Sequence, residues 1–328
     1  MNRFVGVDLG GTHLRAAVIN PKTGEVITLK QAPTMAREGH EAVIGHMAGL
    51  IDDAIESAGL SRSDVGGIGI GVPGVLDMDR GMVLFLPNLP GNWLNVPLRQ
   101  AIEDDTGLPT YLINDARAMT FAEWRFGGGR GVDTVACYTL GTGVGGGLVV
   151  NGRLHLGLGG TAGELGHTTV EPGGLPCGCG NHGCLEAYAS GPAIAAAGIK
   201  AVVQGLTTRI GEMAVHDLNK ITAELVYRAA VAGDLIAHGI YERAGYYLGV
   251  AISNILVTLT PRKVVIGGGV SQAGEMLLEP IRRTVIDRVH VMPVSQVEIV
   301  LAELGINAGL IGAARWAQES LQENLDRA

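Results

Sequence analysis

Three thiols and an imidazole stand close together in this chain. They lie in Gly163-Glu164-Leu165-Gly166-His167 and in Cys177-Gly178-Cys179-Gly180-Asn181-His182-Gly183-Cys184. Soft thiolates with one imidazole suit a tetrahedral Cys3His zinc site, and the intervening glycines let a short loop wrap an ion. The expected ligands are His167, Cys177, Cys179 and Cys184. With all four positions filled by protein the zinc would be structural, since a catalytic zinc keeps one position open. His182 is the rival fourth ligand, in a cramped place two residues from Cys184. The bland alternative is a loop of reduced thiols. Cys137 lies in an apolar run and reads as an ordinary buried cysteine.

Glycine carries the second signal, at 51 of 328 residues. Three glycine-rich turns close apolar, strand-like runs: Asp8-Leu9-Gly10-Gly11-Thr12, Leu140-Gly141-Thr142-Gly143-Val144-Gly145-Gly146-Gly147, and Gly267-Gly268-Gly269-Val270-Ser271. Glycine permits positive φ, so successive N–H groups can converge on an anion. A P-loop is excluded because the chain has no Gly-Lys pair. Gly141, Gly143 and Gly146 fit G-x-G-x-x-G, but LVVNGRL follows and reads as a returning strand, where a dinucleotide site needs a helix. The first two turns therefore read as hairpin tips, with Asp8 and Thr12 adding oxygen ligands. That arrangement resembles the actin-like, ribonuclease H-like ATPase fold of sugar kinases. There, two hairpins hold the phosphates and a third glycine turn holds the adenosine.

Asn114-Asp115 closes a strand and opens a helix. A carboxylate there can act as a base toward a hydroxyl, or can simply cap the helix. Spacing alone does not choose between the two.

The elements that carry these residues are legible from periodicity. FVGVDLG, LRAAVIN and EVITLKQ read as strands, followed by a helix over about 39–59 and a buried strand at 66–72. A Pro-, Gly- and Asn-rich loop is expected through Asn95, then a helix near 96–106 and the strand PTYLIN. The second half opens with a helix near 116–126 and strands at 134–140 and 146–152. Residues 157–186 read as loop. The remainder is mostly helical, with strands at 263–267 and 297–301 and a last helix over about 306–323. Mixed sheets with helices packed on them give an α/β class in about two domains. No internal repeat is visible.

Lys and Arg total 24 against 32 Asp and Glu, a net charge of −8 with no basic block, which argues against duplex nucleic acid. The uncharged run Ala244 to Pro261 is long enough to raise a membrane reading. Its Ser253, Asn254, Thr258 and Thr260 favour a buried helix instead. Asp8 and Arg15 interrupt what would be the apolar core of an export signal, so a cytoplasmic protein with reduced thiols is expected.

The CGCGNHGCLE segment with its upstream GELGH resembles the signature of the ROK family of repressors, open-reading-frame proteins and sugar kinases. The resemblance runs from DLGGT to the INAGLIGAA stretch near the C-terminus. It implies a two-lobed fold: residues 1–115 with about 304–328, and residues 116–303 carrying the zinc loop 163–186 and the adenosine-side helices. DLGGT begins at residue 8, leaving no room for the DNA-binding region of repressor members, so the kinase branch is implied. The resemblance makes Asp115 the general base. It gives Gly74, Asn88, Asn114, Asp115, Glu164, His167 and Glu186 to the sugar, with His167 serving sugar and zinc through different ring nitrogens. Asp8, Gly10, Gly11, Thr12, Gly141, Thr142, Gly143, Gly267, Gly268 and Gly269 fall to Mg-ATP; Arg15 is a phosphate contact or a salt-bridged strand residue. LPNLPGNW resembles a stretch of the glucokinase branch, with Asn92 inserted between Gly91 and Trp93. The implied activity is ATP-dependent phosphorylation of glucose by a dimer or tetramer whose lobes close on the sugar. The alternatives are another hexose (fructose, mannose, allose or N-acetylmannosamine), a polyphosphate donor, or a sugar sensor without catalysis.

Overall fold

The computed structural model describes residues 3–86 and 89–327. Along the chain the strands are β1 (Phe4–Leu9), β2 (His13–Asn20), β3 (Glu25–Pro33), β4 (Ile68–Val72), β5 (Val75–Asp77), β6 (Met82–Phe85), β7 (Thr110–Asn114), β8 (Val135–Leu140), β9 (Val144–Val150), β10 (Arg153–Leu154), β11 (Lys263–Gly267) and β12 (Glu298–Leu301). The helices are α1 (His40–Ser57), α2 (Leu98–Thr106), α3 (Asp115–Phe126), α4 (Glu186–Ala189), α5 (Gly191–Val203), α6 (Ile210–Met213), α7 (Ala223–Val231), α8 (Leu235–Leu259), α9 (Glu275–Arg288) and α10 (Ala308–Arg327).

Two compact units form. One is Met1–Arg130 with Leu154–Ala162 and Leu304–Ala328, and the other is Gly131–Arg153 with Gly163–Glu303. α3, which the lobe boundary expected at residue 115 would give to the second unit, packs along α10 inside the first. The segment expected to be loop through Asn95 contains the small antiparallel hairpin β5–β6. Its strands, of three and four residues, are too short to show a period.

In the first unit the sheet order is β3-β2-β1-β4-β7. β1, β2 and β3 run antiparallel in turn, and β4 and β7 lie parallel to β1. Side chains alternate across a strand, so the two faces of β1 and β4 differ by sequence. Val5, Val7, Leu9, Ile68, Ile70 and Val72 face a core built with α1 and α2. The opposite face carries Gly6 and Gly69, where a β-carbon would overlap the carbonyl oxygens of Leu310 and Ala313 in α10. Gly312 of α10 meets the Ala118 carbonyl of α3 in the same way. Helix backbone thus lies directly on strand backbone. The fully buried Glu123 of α3 is satisfied by backbone donors: Oε1 accepts from Leu304 N–H at 2.9 Å and Oε2 from Gly128 N–H at 2.9 Å.

In the second unit the order is β10-β9-β8-β11-β12, with β9 antiparallel to β8 and β11 and β12 parallel to it in succession. This repeats the plan of the first unit. α8 contains the uncharged run as far as Leu259 and lies inside the helical core with α5, α7 and α9. Gly245 and Gly249 bring it against Pro280 and Thr284 of α9. Among the described residues no helix is long and apolar enough to cross a membrane.

The glycine-faced strands yield a stability contrast. Gly69→Ala forces a β-carbon into α10 backbone and should lower unfolding free energy by about 2 kcal/mol or more. Gly49→Ala, mid-helix in α1 with open space at the β-carbon, should raise it by about 0.5–1 kcal/mol. Urea midpoints measure both; equal effects would show that close backbone approach does not limit the sheet.

Candidate active site

In the first unit the turn between β1 and β2 is closed by Gly10 N–H donating to the His13 carbonyl at 3.0 Å. The buried Thr34 braces it twice, through Oγ1 to the Gly10 carbonyl (2.6 Å) and N–H to the Thr12 carbonyl (2.9 Å). Gly11 and Thr12 stay exposed at the tip. Asp8 sits opposite Arg15 in the ladder, and the guanidinium bonds its Oδ2. The ladder register therefore sets this pairing, and it leaves the side chain of Asp8 22% exposed.

Asp8 also lies in register with Gly71 of β4. A β-carbon on Gly71 would stand 3.9 Å from the Asp115 Cα and would meet nothing closer than 3.4 Å. The strand thus leaves a gap between the backbones bearing the two aspartates, on the glycine-lined face. Asn114, not Asp115, caps α3: its Oδ1 accepts from Ala116 N–H (3.1 Å) and Arg117 N–H (3.3 Å). Its Nδ2 donates to the Gly74 carbonyl at 3.3 Å. Asp115 is the first helical residue, with Oδ1 2.8 Å from Ala116 N. The capping role that competed for Asp115 thus belongs to its neighbour. Gly74 takes φ 94°, a conformation that favours glycine. Asn88 lies outside the described residues. The inserted Asn92 adopts φ 56°, which asparagine tolerates.

In the second unit the tip between β8 and β9 mirrors the first, with Gly141 N–H donating to the Gly143 carbonyl at 2.9 Å. Thr142 is exposed. Gly267 pairs in register with Thr139, and Gly268 lies against Leu140 backbone, which brings the second and third glycine turns side by side. Gly269 opens the short turn leading to α9. Of the glycines in the three turns only Gly268 takes positive φ, at 87°. Gly10 and Gly143 serve close approach instead, since a β-carbon on Gly10 would crowd the His13 carbonyl and one on Gly143 would overlap Glu186, whereas Gly141 and Gly269 have open space there.

The loop 163–186 packs on β9 through its own glycines. Gly163 lies against Gly147, and Gly166 meets the Val144 carbonyl where no β-carbon fits. These contacts fix the backbone that carries Glu164, which is exposed, and His167. The donor atoms of His167, Cys177, Cys179 and Cys184 all lie within 4.8 Å of one another. Cys179 Sγ and Cys184 Sγ are 3.7 Å apart, and Cys177 Sγ and His167 Nδ1 are 3.6 Å apart. A tetrahedral zinc with Zn–S of about 2.3 Å and Zn–N of about 2.0–2.1 Å requires edges of about 3.8 and 3.6 Å. The donor set and both edges fit zinc. His182 is exposed and outside the group. Burial pushes the Cys184 thiol up to about 12, whereas the Asn181 backbone bond holds Cys179 below the usual thiol range. A cation at the centre of the four donors would favour thiolates throughout. Cys137 is fully buried in β8.

Two anchors of this loop carry no signal in local spacing. Tyr188 stacks on Tyr247 with ring centroids 4.1 Å apart. Its hydroxyl accepts from Leu175 N–H at 2.8 Å, and the Tyr247 hydroxyl donates to Glu171 Oε2 at 3.1 Å. Glu186, at the start of α4, accepts from Val144 N–H at 3.0 Å. Thr34 likewise had no motif to mark it.

Two units of this topology, each with a glycine hairpin at the end of its central strand, define the actin-like ATPase fold of sugar kinases. The chain belongs to the ROK family, whose sequence model matches residues 4–320. It is 37% identical over 330 residues to a glucokinase of Halalkalibacterium halodurans, covering 99% of this chain and 97% of that protein. Identity to a glucokinase of Thermotoga maritima is also 37%, over 97% of this chain and 98% of the relative. A solved ROK glucokinase from Streptomyces griseus, in complex with glucose and AMPPNP, superimposes with a TM-score of 0.82 at 34% identity, covering 97% of this chain and 99% of that one.

Protein purified without added zinc should carry about one zinc per chain by elemental analysis. Cys184→Ser and His167→Ala should lose most of it, and His182→Ala should keep it. Full zinc in Cys184→Ser would reject the ligand set.

Proposed function

We propose that this protein transfers the γ-phosphoryl group of ATP to the 6-hydroxyl of glucose. The protein is an ATP-dependent hexose kinase; its full-length similarity to glucokinases supports that coarser statement. In the proposed reaction the sugar O6 forms a bond to the γ-phosphorus as the bond to the β-phosphate oxygen breaks. Asp115 takes the O6 proton, and ADP leaves. The observation that supports this reading most is the division of labour at the start of α3. Asn114 caps the helix, and Asp115 stands across the side-chain-free Gly71 from Asp8.

Phosphoryl transfer asks the protein mainly for position and charge. The hairpin tips, closed by Gly10 N–H and Gly141 N–H, offer the backbone N–H groups of Gly11 and Thr12 and of Thr142 and Gly143 to phosphate oxygens. Gly267, Gly268 and Gly269 admit the adenosine side. Mg2+, when bound with ATP, screens the phosphate charge. One partly exposed carboxylate, Asp8, suits an ion that keeps most of its ligands as water and phosphate. Arg15 holds that carboxylate in place.

Gly74, Asn88, Asn114, Glu164, His167 and Glu186 contact the sugar in this proposal. Nδ1 of His167 faces Cys177, which leaves Nε2 for a hydroxyl. Zinc, when bound, fixes the tautomer and the ring plane of that histidine. A set of carboxylates and amides matched to several hydroxyls rejects sugars that lack one, because a buried partner is left unpaired.

Asp115→Asn should lower kcat by about 10²- to 10⁴-fold, while glucose affinity by calorimetry changes little. Wild-type turnover in that variant would sink the base assignment. In a coupled assay with Mg-ATP, glucose should give the highest kcat/KM among glucose, fructose, mannose, allose and N-acetylmannosamine. A higher value for another sugar would reassign the substrate and leave the kinase intact.

A further inference from the structure

Glu186 has more neighbours than a sugar-binding carboxylate needs. Its Oε2 accepts the N–H of Val144, the first residue of β9, at 3.0 Å. Its Oε1 lies 3.8 Å from Cys177 Sγ. Gly143 approaches so closely that a β-carbon there would overlap Oε2. One carboxylate therefore touches the zinc-ligand cluster on one side and the phosphate-facing hairpin on the other, all within the second unit.

We propose that Glu186 is the positioning residue through which sugar binding orders the hairpin Gly141–Val144 for the nucleotide. The proposal rests on the glucokinase reading above. A carboxylate has about four acceptor sites, and Val144 takes one on Oε2. Oε1 keeps acceptor sites beyond the one facing Cys177 Sγ, and these are open to a sugar hydroxyl. A hydroxyl bound at Oε1 fixes the carboxylate plane. Through Oε2 that plane fixes the Gly143–Val144 peptide. Gly143 in turn accepts from Gly141 N–H, and the Gly141 carbonyl accepts from Gly191 N–H at 2.8 Å at the start of α5. The hairpin then meets the phosphates already ordered, so the nucleotide binds with less ordering still to be done. By linkage, the nucleotide must tighten the sugar by the same factor.

The test is calorimetric glucose binding to the zinc-loaded protein, with and without saturating Mg2+ and a non-hydrolysable ATP analogue. Wild type should bind glucose at least about five-fold tighter with the nucleotide present. Glu186→Gln keeps a carbonyl oxygen for Val144 but presents an amide NH2 where the hydroxyl must donate. Gly143→Ala drives the carboxylate off Val144 without changing its chemistry. Both variants should abolish the nucleotide-dependent tightening, and combining them should add no further loss. Zinc content and far-UV circular dichroism check that each variant is folded. A purely structural role would weaken both affinities and leave their ratio intact. Folded variants that keep the wild-type ratio, or a wild type that shows no tightening, overturn the proposal. Absence of glucose binding in wild type defeats the glucokinase reading instead; the same ratios are then measured with the hexose that ranks first in the panel.

Discussion

Four donor atoms, three sulfurs and a ring nitrogen, converge in the middle of a loop that holds no regular strand and is crossed only by short bridges such as Thr169–Cys184 and Pro176–His182. That convergence is the constraint on which the second unit's chemistry depends. Glu164 and His167 sit at one end of the loop and Glu186 at the other, and irregular backbone alone would leave three such groups loosely placed. The loop is held by its crowded centre, by the glycine contacts of Gly163 and Gly166 on β9, and by the stacked Tyr188–Tyr247 pair that takes Leu175 and Glu171. A rigid mount is obtained from covalently distant parts, each cheap in sequence.

The first unit reaches rigidity by a different route. Its carboxylates stand on regular elements, Asp8 at the end of β1 and Asp115 at the start of α3. The spacing between those elements is set by the missing side chains of Gly6, Gly69 and Gly312. Larger residues would push α10 and α3 outward and take Asp115 with them. At those positions glycine is a matter of distance between backbones; elsewhere many glycines take positive φ, with Gly74, Gly163 and Gly268 near the site among them.

Much of this was legible in the residues. Apolar runs such as FVGVDLG and IGIGV mark central strands because both faces are buried, and the cysteine spacing marks the donor cluster because thiols have few other uses at that density. The limits were physical. β5 and β6 are too short to show a period. Asn114 and Asp115 are both good cap residues, and only the backbone tells which one caps. Thr34, Tyr247 and Val144 act through contacts with residues far away in the chain, or through a main-chain N–H that every residue possesses. The repeated strand plan of the two units is hidden for a related reason. Topology is kept by hydrogen-bond order and strand sense, which many unrelated sequences satisfy.

The position of α10 has one more implication. The sheet of the first unit is laid down by residues 4–114, yet the helix that covers its glycine face comes from residues 308–327. During synthesis the strands emerge early, and the naked face waits until the second unit has been made. A ribosome moving at about 5–20 residues per second leaves that surface uncovered for roughly ten seconds or more. A nascent chain of this kind is exposed to misassembly and to premature stop codons late in the message, which would remove the lid of the unit that was translated first.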